Sequence, residues 1–117
     1  MTKRPLAYIT AAWSGNKLKD FKQAVKYCRE VYDAGFSPIC PMLHTCMFLN
    51  DEIPEEHRSG VDINRDLLRR ARVLVVCGNY MDESVKNDIA IAGRLHITAT
   101  TLDGILLVKK HSKVKSK

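Results

Sequence analysis

The sequence predicts an α/β domain: a small doubly wound, five-stranded parallel sheet with helices on both faces. Short apolar runs alternate with longer amphipathic stretches, the order of strands and helices in such a sheet. The run Val73, Leu74, Val75, Val76, Cys77 is apolar without interruption, as a strand covered on both faces must be. A chain of 117 residues, 45% hydrophobic and 27% charged, has the length and composition of one globular domain.

Leu6 to Thr10 reads as the first strand, and Ala11 to Asn16 has the composition of a connecting loop. From Lys17 onward, Leu18, Phe21, Ala24, Val25, Cys28, Val31 and Tyr32 recur at three- and four-residue steps, which predicts an amphipathic helix stopped by Gly35. Phe36 to Cys40 is a second short strand. Residues 41–60 read as a long irregular segment, of a length that is often functional in compact domains. A second helix follows from about Val61 to Ala71, with Leu67, Leu68 and Ala71 inward and Arg65, Arg69 and Arg70 outward. After the strand 73–77, Gly78 and Asn79 break the run, and a third helix from about Ser84 to Arg94 carries Val85, Ile89 and Ala92 on one face. His96 to Thr100 and Ile105 to Val108 read as the last two strands.

The net charge of +6 is concentrated at one end: without Lys109, Lys110, Lys113, Lys115 and Lys117 the chain would carry only +1. The expected organisation is therefore a domain over residues 1–108 and a basic, unstructured tail over 109–117. Nucleic acid is not an expected partner, because the excess charge lies outside the domain. No apolar stretch has the length of a bilayer span, and residues 1–5 carry no signal-peptide pattern, so a cytoplasmic protein without membrane association is expected. Cys28, Cys40, Cys46 and Cys77 lack CxxC spacing and read as free thiols; Cys40, His44 and Cys46 offer three ligands on one loop but no fourth, so no metal is assigned. A domain of this size gains from burying further apolar surface, and a homo-oligomer is expected.

In open parallel sheets ligands bind beyond the carboxyl ends of the strands. Tyr8, Trp13, Ser14, Gly15 and Lys17 belong to the first such loop region, and Asn79, Asp82 and Ser84 to the third. The stretch Ser14 to Lys17 can receive a phosphate at the following helix N-terminus, although it has neither P-loop nor dinucleotide spacing. Asp82 and Asp88 are six residues apart, one before the third helix and one inside it. That spacing can aim both carboxylates at one pocket; it reads equally as acidic residues complementing a helix dipole. Tyr8 and Trp13 read as site or core aromatics, and Asp66 as a solvated side chain or a polar group over the strand ends. No nucleophile elbow supports Ser/His/Asp chemistry.

Taken together, Tyr8-Ile-Thr-Ala-Ala-Trp13, Gly35-Phe-Ser-Pro38, Pro41-Met-Leu-His44, Asp66 ahead of Val73 to Gly78, and Asp82-Glu-Ser-Val-Lys-Asn-Asp88 resemble the nucleoside 2-deoxyribosyltransferase-like superfamily, especially its small bacterial and phage branch. The resemblance covers nearly all of residues 6–108. It implies a flavodoxin- or Rossmann-like fold, no cofactor, and a small-molecule nucleoside or nucleotide as partner. It also implies cleavage of the N-glycosidic bond or deoxyribosyl transfer through a carboxylate nucleophile. By position, Asp88 is that nucleophile, Tyr8 orients it, Asp82 handles the leaving base or sugar, and Asp66 binds sugar hydroxyls. Trp13, Ser14, Gly15, Asn79 and Ser84 complete the expected substrate-binding set. Asp88 replaces the family's usual glutamate and is one methylene shorter, so the alternative implied is a catalytically weak module that binds or sequesters a nucleotide ligand.

Overall fold

The computed structural model describes residues 4–115, with side chains described to residue 108. The elements are β1 (Leu6–Ala11), α1 (Lys17–Asp33), β2 (Ser37–Ile39), α2 (Pro54–Arg70), β3 (Val73–Cys77), α3 (Glu83–Arg94), β4 (Thr98–Thr101) and α4 (Leu102–Lys115). Among the described residues the strands form one sheet in the order β2-β1-β3-β4, and every pairing is parallel. Chain direction across the sheet reverses between β1 and β3, so their carboxyl ends frame the topological switch point.

Side-chain alternation along the strands divides the core. Ala7 and Ile9 of β1 and Val73, Val75 and Cys77 of β3 join Ala24 and Val31 of α1 and Leu102 and Ile105 of α4 in one cluster. The intervening Tyr8 and Leu74 join Leu68 and Ala71 at the end of α2 and Ile91 and Ala92 of α3 in the other. Helices thus cover both faces, as the sequence predicts.

Four differences from the sequence reading have local causes. The sheet has four strands among the described residues rather than five: Ile105 to Val108 lie in α4, not in a strand. Leu102, Ile105 and Leu106 follow a helical spacing that turns them onto the α1 face of the sheet, and Thr101 Oγ1 accepts the Gly104 N–H at 3.0 Å to start the helix. The backbone stays helical to Lys115, across tail positions read from sequence as unstructured; Ser116 and Lys117 lie outside the described residues.

The second difference is α2, which starts at Pro54 rather than near Val61. Pro54 stands in the first turn, where its missing N–H costs nothing, and Glu55 and Glu56 complement the helix dipole there. The third is residues 41–53, which are short 3-10 turns (Pro41–Leu43 and Thr45–Met47) with side-chain ties to α2. The fourth is the phase of α1. Its buried residues are Asp20, Ala24 and Val31, whereas Leu18, Val25 and Tyr32 are exposed. The helix itself ends as expected at Gly35, whose φ of +102° suits a glycine. The Gly35 N–H reaches Tyr32 O at 3.0 Å and the Phe36 N–H reaches Val31 O at 3.3 Å, the two bonds of a Schellman motif.

Candidate functional site

A cleft of about 740 Å³ opens beyond the carboxyl end of β1, a volume in the usual range for small-molecule sites. Tyr8 and Thr10 line it from β1, and Ser84 and Asp88 from α3. The alternation of β1 explains the first pair: residues 8 and 10 share the face that α3 covers. Helical spacing explains Asp88, which is three residues after the fully buried Val85 and four before the fully buried Ala92.

Thr10 Oγ1 donates to Asp88 Oδ2 at 2.7 Å, and Thr10 is 5% exposed. Burial pushes the Asp88 carboxyl above the usual aspartate range; the Thr10 hydrogen bond opposes this, and the nearby Asp82 charge adds to it. Tyr8 is 3% exposed and close enough to feel Asp88. Burial first, then the Asp88 charge, raise its phenol pKa, so the hydroxyl keeps its proton. A partly desolvated carboxylate thus faces a cleft with two hydroxyl groups beside it.

The loop between β1 and α1 supplies Trp13 and Gly15, and α1 supplies Lys17 and Asp20. Asp20 is 6% exposed, and it holds the loop: its Oδ1 accepts from Ser14 Oγ at 2.6 Å and from the Ser14 N–H at 3.1 Å. From the third side come Thr45 and the α2 residue Asn64, joined by the Thr45 Oγ1 to Asn64 Oδ1 hydrogen bond at 3.3 Å. Asp51, Glu52, Glu56 and His57 continue that wall. His57 Nδ1 is 2.6 Å from Asp51 Oδ1, and Glu56 Oε1 accepts the Asn50 N–H at 3.0 Å.

Of the residues singled out from sequence, Tyr8, Trp13, Gly15, Ser84 and Asp88 meet in this cleft. Asp82 caps α3 instead. Its Oδ1 accepts the Val85 N–H at 3.0 Å and its Oδ2 the Trp13 N–H at 3.2 Å, which ties the two switch-point loops together. Ser14 is turned to Asp20, Asp66 pairs with Arg70 at 3.0 Å on α2, and Asn79 is exposed and does not line the cleft. Thr10, Asp20, Thr45, Asn64 and His57 lie outside the sequence reading of the site. Two of them leave a sign in the chain: Thr10 shares the alternation of Tyr8, and Asp20 stands one turn before Ala24 on the buried stripe of α1.

The four cysteines are free thiols: Cys40 and Cys77 are buried, and the Cys46 thiol donates to Met42 O. No group of three His, Cys, Asp or Glu side chains among the described residues is arranged to hold a metal ion. No helix among them is long and apolar enough to cross a membrane.

The fold and cleft together define a parallel α/β domain with a carboxylate-bearing pocket at its switch point. The domain of unknown function DUF7768 matches residues 5–102, and the chain belongs to that family. No curated protein matches the chain.

Proposed function

We propose that the protein acts on the N-glycosidic bond of a nucleoside or nucleotide, with Asp88 as the nucleophile. The observation that carries this reading is the Tyr8, Thr10 and Asp88 group at the cleft, where a carboxylate is partly desolvated yet fixed by a 2.7 Å hydrogen bond. Such a group suits attack on an anomeric carbon, since loss of water leaves the anion reactive and the tether limits its motion. Asp88 forms a glycosyl ester as the bond to the base nitrogen breaks, and the base leaves with the bonding electron pair and takes a proton from solvent. Water, or a second base in a transfer reaction, then attacks the anomeric carbon and releases the Asp88 carboxylate. Tyr8 remains protonated beside the nucleophile and orients it.

The test is incubation of the purified protein with a panel of nucleosides and their 5′-monophosphates, followed by chromatography for free base. Base release that disappears in Asp88→Ala, with the circular dichroism spectrum unchanged, is the expected result. No release from any member of the panel removes the enzymatic reading. Calorimetric binding with every ligand recovered intact would then select the binding module in its place, a reading favoured by the hydrogen bond that holds the shorter Asp88 side chain against Thr10.

A further inference from the structure

The places where a parallel α/β fold ordinarily grips phosphate are the amides of the loop after the first strand and the N-terminal turns of the helices that open at the switch point. In this chain several of those amides are already engaged by its own side chains. The Ser14 N–H faces both Asp20 oxygens, at 3.1 and 3.2 Å, and the Ser14 hydroxyl donates to the same carboxylate. The Trp13 N–H and the Val85 N–H converge on the two oxygens of Asp82. At the start of α1 the Lys19 N–H is taken by Asn16 Oδ1 at 3.1 Å. Two internal carboxylates, one of them 6% exposed and on the cleft wall, thus engage three amides that could otherwise meet an anion.

The charge lining the cleft has the same consequence. Asp20, Asp51, Glu52, Glu56 and Asp88 face it, against Lys17 as the one lysine or arginine among the described lining residues. A phosphate entering this cleft would exchange its water for a wall of like charge, with the Trp13, Ser14 and Val85 N–H groups already taken by carboxylates.

We propose that Asp20 and Asp82 are specificity-determining residues that exclude phosphorylated ligands, so that the cleft takes nucleosides and rejects their 5′-monophosphates. The choice of substrate rests on the glycosidic reading above; the exclusion of phosphate does not. Ser14 and Asp20 form the part of the device nearest the ligand, because Asp20 both fixes the loop and lines the cleft.

Two measurements separate the claims. The first follows the backbone amides of Trp13, Ser14 and Val85 by proton–nitrogen correlation spectroscopy while inorganic phosphate is added at constant ionic strength. In the wild type these resonances stay in place, and a saturable shift of Ser14 or Trp13 overturns the exclusion whatever the protein does to nucleosides. Asp20→Ala, which removes both the charge and the acceptor held by Ser14, should gain such a shift at Ser14; a folded variant that gains none overturns the assignment to Asp20. The second compares each 2′-deoxynucleoside with its 5′-monophosphate by calorimetry on the wild type. The monophosphate should bind at least about tenfold more weakly, as expected for a like charge brought to a charged wall. Equal or tighter binding of a monophosphate overturns the exclusion and leaves the glycosidic reading intact. If neither ligand of any pair binds, the glycosidic reading fails, and the phosphate titration, which needs no variant, still decides the exclusion.

Discussion

On α3 the positions turned toward the sheet include 85, 88, 89 and 92, and among Val85, Ile89 and Ala92 the one carboxylic acid is Asp88. A carboxyl in that stripe must shed water, and the Thr10 hydroxyl returns only part of what it loses. Its pKa is raised by burial, so over the pH range between the ordinary aspartate value and its folded value the native chain binds more protons than the unfolded chain. Protonated Asp88 therefore favours the fold, and that contribution is lost as pH rises through the folded value. Asp88→Asn imitates the neutral form and can still accept from Thr10. It should melt at a higher temperature than the wild type at neutral pH, the gap should close in acid, and base release should be absent. Calorimetric melting across pH checks this, and a variant less stable than wild type at neutral pH would show that desolvation does not dominate the site.

At the level of elements, what the chain reveals beforehand depends on whether a signal is periodic or positional. The strand 73–77 is legible because an unbroken apolar run has few other uses, and α3 because its stripe is regular. The run Ile105 to Val108 fits a buried strand or a buried helix equally well, and only the positional signal at Thr101, an N-cap before Asp103 and Gly104, separates the two. For α2 the signal is Pro54 followed by Glu55 and Glu56; the polar first half of that helix carries too little apolar periodicity to announce it. Site residues divide in the same way. Asp88 is legible from its place in the chain, but the tie from Asp82 to Trp13 spans 69 positions and cannot be read along it. Asp82 is accordingly an element-scale residue that starts α3 and anchors the loop after β1. Asp82→Ala should cost about 1–2 kcal/mol in urea denaturation, at the upper end for an N-cap because a second amide is also released. Asp82→Ser, which restores the cap at Val85 but cannot reach both amides with one oxygen, should recover only part of that loss.

For the whole molecule, the decisive feature is that both faces of the sheet require a cover and α4 supplies part of one. The family match ends at residue 102, the first residue of α4, yet Leu102 and Ile105 are each 8% exposed and pack with Ala7, Ile9, Val73 and Val75. Burial of two such side chains contributes roughly 1.5–3 kcal/mol each, against a total stability of about 5–15 kcal/mol for a domain. Uncovering them also exposes apolar residues of the central strands, so the loss extends beyond the two side chains. A chain ending at Thr101 should therefore lose its sharp thermal transition and bind a hydrophobic dye, even though it retains nearly all of the segment matched to the family. A chain ending at Val108 keeps Leu102 and Ile105 and sheds the basic residues 109–117. Its melting temperature should stay within a few degrees of the full chain, the scale of a change below about 1 kcal/mol. If both truncations melt like the full chain, α4 is not part of the cooperative unit; if both collapse, residues 109–117 carry stability that the burial of Leu102 and Ile105 does not explain.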